Sequence, residues 1–407
     1  MNRSIHSFMH TGSSKQFSEN SNENLLVDRI RIEFWKSDPL ADEVTNDFAN
    51  MAPGKGSAML NQALENGIHS ISMPPESLVN FFAQLDTIPI WLDREEINYG
   101  AATFMRAGGL GAAALLCHSL PTGYLDPEGS RPLLFSGRLV QRAPRRLMET
   151  ARYVYECIKP GGMERFGNGF KICVRVRLMH AQVRRLLLKS NRWDSQAWGI
   201  PINQWHLLGT NVLFSMTVVD ALRNWGMLIN RKEEESIYAF WRYNGYLIGI
   251  DTDILCATRA EYRRMIDVIE KIRLPATSDS LLLTEALLQA GAIMVKNIVG
   301  LPFLNVTKSI LAGLSRNLLG RKRADELGLS RNFWRFLPWL MRPFVFCFEI
   351  IRILMPGGKR LAILVGERLW ERALEIGLHG RDATFAIPQT LQNIDPRKNA
   401  VKEGSNA

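Results

Sequence analysis

Val174-Arg-Val-Arg-Leu-Met-His-Ala-Gln-Val-Arg184 is the stretch on which the reading of this chain turns. At 3.6 residues per turn, Arg177, His180 and Arg184 stand at i−3, i and i+4 and share one face of a helix. Leu178, Met179 and Val183 lie between them, so the helix is both basic and apolar. An imidazole flanked by two guanidinium groups suits a haem, whose iron takes a histidine nitrogen and whose propionates pair with arginines. The same spacing also fits a basic helix whose histidine is satisfied within the core, and spacing alone does not separate the two.

Outward from this helix the pattern is helical almost throughout, with apolar residues recurring every three to four positions. Helices are predicted over 42–50, 75–84, 93–119, 142–158, 170–189 and 204–225, then over 231–248, 259–272, 279–299, 305–318, 331–354 and 361–376. Asp93, and Thr277-Ser278-Asp279, are start signals; Pro160-Gly161-Gly162, Gly199-Ile200-Pro201 and Pro356-Gly357-Gly358 are breaks. Strand-like alternation is scarce and no repeat of fixed period is visible. The expected fold is a single all-α domain over residues 25–385, between polar tails at 1–24 and 386–407, the first expected to be disordered.

Among the 407 residues, 46% are hydrophobic and 22% charged, the balance of a globular protein. The net charge of +10 permits attraction to nucleic acid, anionic lipid or a carboxylate-bearing cofactor. The basic residues are scattered without a recognisable DNA- or RNA-binding module, which argues against nucleic acid. Five cysteines stand far apart with no CxxC pair or zinc spacing, as expected of reduced, buried thiols. The first 25 residues lack the apolar run of a secretory signal, so a cytoplasmic, non-secreted protein is expected.

No segment reads as a transmembrane helix: the uncharged stretches 107–125 and 195–219 are diluted by Gly, Pro and amide residues. Phe333–Met355 mixes aromatics with Arg335, Arg342 and Arg352 and contains Pro338 and Pro343. It reads either as a helix at a membrane interface, its arginines reaching headgroups, or as Pro-broken core helices.

A second cluster precedes the central helix. Arg146 and Thr150 are i and i+4 with Glu149 beside them, and facing a haem they would supply charge, hydroxyl and carboxylate to the oxygen side. The plainer reading is an exposed Arg146–Glu149 pair. Gly108-Gly109-Leu110-Gly111 lacks the strand and Lys-Ser/Thr of a phosphate loop and suggests close backbone packing instead. Neither a GxSxG elbow nor an HExxH motif is present. His206 reads as a helix-cap or core histidine or a second axial ligand, and His118 as core.

The ordered set Trp91-Leu-Asp93, Leu120-Pro121, Ser136-Gly-Arg-Leu139, Arg146-x-x-x-Thr150, Arg177-x-x-His180-x-x-x-Arg184, Pro201-Ile-Asn-Gln204, Leu208-Gly-Thr210, Phe214-Ser215 and Trp241…Gly249-Ile-Asp251 resembles the family of latex-clearing protein (rubber oxygenase) and the MpaB-like fungal oxygenase of the mycophenolic acid pathway. The resemblance implies a globin-like helical core with additional helices and one haem b. It implies His180 as iron ligand, Arg177 and Arg184 supporting the haem or its helix, and Arg146 and Thr150 beside the haem. It further implies dioxygen-dependent cleavage of carbon–carbon double bonds in a prenyl or other apolar substrate. Glu149 stands where rubber oxygenase has a lysine, and His206 where relatives have an acidic residue. With no export signal, the expected substrate is an apolar molecule or lipid inside the cell, met through peripheral membrane contact. The alternative is a non-catalytic helical protein that binds membranes or partners on the same scaffold.

Overall fold

A computed structural model describes residues 21–135, 143–300 and 303–380, together with Ala383, Phe385 and Pro388. Among these residues there is no strand. The chain runs through α1 (Ser21–Glu33), α2 (Pro39–Ala49), α3 (Lys55–Asn66) and α4 (Glu76–Asp86) into α5 (Arg94–Arg106) and α6 (Gly108–Ala114). A π-helical turn, Leu115–Ser119, leads to α7 (Leu120–Tyr124) and α8 (Pro127–Phe135). Next come α9 (Ala143–Ile158), α10 (Asn168–Lys189), the short α11 (Ser195–Trp198), α12 (Gln204–Phe214) and α13 (Met216–Asn224). The remainder is α14 (Arg231–Leu247), α15 (Arg259–Ile272), α16 (Ser278–Val299), α17 (Leu304–Glu326), α18 (Leu337–Leu354) and α19 (Gly358–Leu378).

Side chains cap several helices, at Asp93 as the sequence signals predict and at positions the sequence reading did not single out. Asp93 accepts from the amides of Glu95 and Glu96, and Asn230 and Thr258 form reciprocal capping boxes with Glu233 and Glu261. The core is aromatic: Phe104, Phe240, Trp241, Tyr238 and Tyr262 are fully buried, with Phe214 and Trp241 centroids 5.1 Å apart. Each such side chain contributes roughly 1.5–3 kcal/mol on leaving water. Helices α5 and α14 approach so closely that a Cβ built on Gly100 would lie 2.0 Å from the Ser236 carbonyl oxygen.

Three predicted helices are divided differently. The expected helix over 93–119 turns by 90° at Ala107, where Gly108 takes φ +48° and a Cβ on it would stand 3.2 Å from the Gly366 Cα. The glycine-rich run thus brings backbone against α19, a partner that periodicity does not reveal. The helix expected over 204–225 is interrupted at Ser215, whose hydroxyl donates to the Asn211 carbonyl at 2.8 Å. Phe333–Phe336 is a 3₁₀ turn before α18, and Pro343 lies inside that helix without ending it. Helices α1, α3, α7, α8 and α11 were not anticipated; α3 (KGSAMLNQALEN) is poor in large apolar residues, and α1 begins at Ser21, inside the expected amino-terminal tail.

Helix α16 has the length and apolarity of a bilayer span, which the sequence reading had not singled out; 39% of that window is buried, and α16 packs against α7, α8, α9, α17 and α19. The four cysteines Cys117, Cys157, Cys173 and Cys256 are buried, while Cys347 is exposed. Gly377 and Gly366 let α19 lie against α9 and α5.

Candidate functional site

Arg177 donates from Nε and Nη2 to the two oxygens of Asp38, at 2.6 and 2.9 Å, and from Nη1 to Gln84 Oε1 at 2.6 Å. Its guanidinium also stacks over Phe81, 4.8 Å from the centroid. Arg184 donates to Asp42 at 2.6 Å and to the carbonyls of Pro201 and Ile202 at 3.2 and 3.0 Å. Both guanidinium groups are buried, and every nitrogen of each already has a partner within the chain. The two arginines therefore clamp α10 to α2, α4 and the turn before α12. Of the two roles expected of them, the geometry supports bracing the helix over pairing with propionates.

The other motif residues complete the same frame. The Gln204 amide donates to the carbonyls of Ser37 and Gly249, both at 2.9 Å, and its oxygen accepts from the Asp251 amide at 2.9 Å. Gly249 has φ +88°, and a Cβ there would fall 2.2 Å from Asp38 Oδ2 and 2.6 Å from Arg177 Nε. Its glycine is required by both the backbone and the buried ion pair behind it. Pro201–Gln204 and Gly249–Asp251 are thus scaffold around the central helix. The motif segment Ser136–Leu139 lies outside the described residues.

His180 is half-buried, and its Nδ1 is shielded from solvent without a hydrogen-bond partner. Burial, then the charges of Arg184 and Arg146, push its pKa down to about 4 against a weaker pull from Asp38. The ring is therefore neutral at ordinary pH, the form that ligates metals. A neutral imidazole with an orphaned nitrogen fits the ligand role expected of it.

Arg146 on α9 acts electrostatically on His180, so the structure brings the two basic motifs together. Glu149 is buried and held between Arg145 Nε at 3.1 Å and Arg146 Nη1 at 3.4 Å. The Thr150 hydroxyl donates to the Arg146 carbonyl at 3.1 Å. The Arg146–Glu149 pair of the plainer reading thus exists, but it is half-buried and shared with Arg145.

His118 meets the Thr217 carbonyl through Nδ1 at 3.0 Å and is a core histidine as expected. His206 occupies the first turn of α12, its backbone amide bonded to Asn203. Its ring faces Asp126 and Phe34, whereas His180 feels Arg184, Arg146 and Asp38, so the two histidines lie in different surroundings. Sequence reasoning missed Asp38, Asp42 and Gln84. Asp38 caps α2 in the structure, and nothing local in the sequence joins it to an arginine 139 residues away.

Fold and site define a class: an all-helical protein whose braced central helix offers a neutral histidine with a free nitrogen. The chain belongs to the family described as ER-bound oxygenase mpaB/B'/Rubber oxygenase, catalytic domain, whose model matches residues 98–345. It is 27% identical over 287 residues to the rubber oxygenase of Streptomyces sp. (strain K30), a match covering 67% of this chain and 64% of that relative's length. Its fold is similar to that of latex clearing protein LCP in the closed state, with a TM-score of 0.68 at 24% identity, over 87% of this chain and 94% of that one.

Proposed function

We propose that this chain is a haem b-dependent oxygenase that uses dioxygen to cleave a carbon–carbon double bond in a prenyl or other apolar, alkene-bearing substrate. The observation that carries the reading is His180: a neutral imidazole with a buried, unpartnered nitrogen, on a helix held rigid by two buried arginine clamps. Membership of an oxygenase family supports it, and the name of the Streptomyces relative, rubber oxygenase, points to an apolar alkene as the substrate class.

His180 would hold the iron, and haem bound there would supply the activation of dioxygen. Around that ring the chain's own groups set orientation and charge. Asp38 and Asp42 hold Arg177 and Arg184, which fix the rotation of α10 and hence the direction of the imidazole. Arg146 brings positive charge to the ring and is positioned by Glu149, while Thr150 ties its hydroxyl back to the same turn.

Access for an apolar substrate is proposed through a lipid surface. Helix α18 is inverted: the side chains it buries are Pro338, Glu349 and Arg352, while Trp339, Phe344 and Leu354 are 77%, 71% and 76% exposed. Glu349 ties it inward, accepting from Arg106 at 2.7 Å and from Arg352 at 2.9 Å. Arg352 is therefore turned into the protein, contrary to the expectation that it reaches headgroups. Arg335, just before α18, and Arg342, within it, remain exposed beside these apolar side chains, as do Arg360 and Arg368 on α19, the composition of an interfacial segment on anionic lipid. The family description includes ER-bound oxygenases, which supports a membrane contact as part of this reading.

The test is oxygen uptake by haem-supplemented protein in the presence of polyisoprenoid or shorter prenyl compounds, with carbonyl products trapped by a hydrazine reagent. Uptake with stoichiometric carbonyl formation, lost in His180→Ala, is expected. Haem-loaded protein that consumes no oxygen with any of these compounds would overturn the reading.

A further inference from the structure

Asp126 and Glu128 lie at the junction of α7 and α8, and His206 stands opposite in the first turn of α12. One carboxylate oxygen from each acid and one ring nitrogen of His206 all lie within 4.8 Å of one another. His206 is 7% exposed, and neither ring nitrogen has a hydrogen-bond partner. Its Nε2 points at Asp126 Oδ2, 3.7 Å away, too long for a hydrogen bond. A buried imidazole with both nitrogens unmet costs free energy that native proteins rarely leave unrelieved.

The surroundings keep these groups together. Phe34 packs edge-on against the imidazole at 5.4 Å, and Asp126 Oδ1 accepts from the Gly129 amide at 3.1 Å. A Cβ on Gly129 would lie 2.5 Å from Asp126 Oδ2 and 3.1 Å from His206 Cδ2, so only glycine leaves room between acid and histidine. The Arg131 guanidinium, the cation that acts on Glu128, is itself stacked on Trp198 at 4.0 Å. Two carboxylates and an unpartnered imidazole form a donor set that a cation would complete.

We propose that His206, Asp126 and Glu128 bind a divalent transition-metal ion of the zinc type, through one imidazole nitrogen and two carboxylate oxygens. One nitrogen and two oxygens suit zinc, with water in the fourth position. The ion would pin α12 to the α7–α8 junction, and no group acting on His180 belongs to it.

The experiment is calorimetric titration of zinc chloride into the full-length, chelator-treated protein. One equivalent is expected to bind in the wild type and in His180→Ala. His206→Gln and Asp126→Asn should each weaken binding by at least about tenfold. Circular dichroism checks that the variants are folded; if either is not, Glu128→Gln, on a half-buried position, is expected to show the same weakening. Absence of binding in the wild type, or affinity unchanged in the folded variants, would overturn the proposal.

Discussion

Asp38 and Arg177 carry side chains only 5% and 4% exposed, joined by two hydrogen bonds. Removing one partner strands the other's charge out of water, so Arg177→Met is expected to cost about 3–5 kcal/mol, read as a lower urea midpoint. Gly249→Ala should also destabilise, since its methyl would meet the same pair 2.2 Å away. The face shared by Arg177, His180 and Arg184 was legible because helical spacing is local. Their partners were not, because a carboxylate 139 positions away leaves no mark near the arginine. His118 gives a separate residue-scale prediction. Burial lowers its pKa to about 4, so between the unfolded value of 6.5 and 4 the unfolded chain binds a proton that the folded one refuses. Stability is therefore present above pH 6.5 and declines as pH falls toward 4, by up to ~1.4 kcal/mol per pH unit for one proton. Urea midpoints of His118→Leu should fall less steeply over that window than those of the wild type.

At the scale of elements, α18 shows what composition can and cannot disclose. Its aromatics and arginines were plain in the sequence, yet interface and core readings differ only in which side faces inward. The answer rests on Glu349, which accepts from both Arg106 and Arg352 and leaves the apolar residues outside. Phe344→Glu combined with Phe348→Glu is expected to lower binding to anionic phospholipid vesicles by at least about tenfold, since each removes buried apolar area from the contact. The urea midpoint should stay near that of the wild type because both side chains are exposed. Unchanged vesicle sedimentation would count against lipid as the partner of this face. The bend between α5 and α6 is a further element-scale lesson. Apolar spacing continues through Ala107, whereas the chain turns there, with Gly108 at φ +48° packed against Gly366 of α19.

At the scale of the molecule, the all-helical fold followed from apolar spacing repeated along the chain, and its long-range closure from motifs that proved to bind one another. Gln204 joins the Pro201 turn to Gly249 and Asp251, so motifs nearly fifty residues apart form one frame around α10. What the frame holds in place is His180, and the account stands or falls on that ring. The direct measurement is the absorption spectrum of purified, haem-supplemented protein, oxidised, reduced with dithionite, and reduced under carbon monoxide. A Soret band is expected that shifts on reduction and again with carbon monoxide, and that is lost in folded His180→Ala. A wild-type protein without a Soret band, or a folded His180→Ala that keeps it at full intensity, would contradict it.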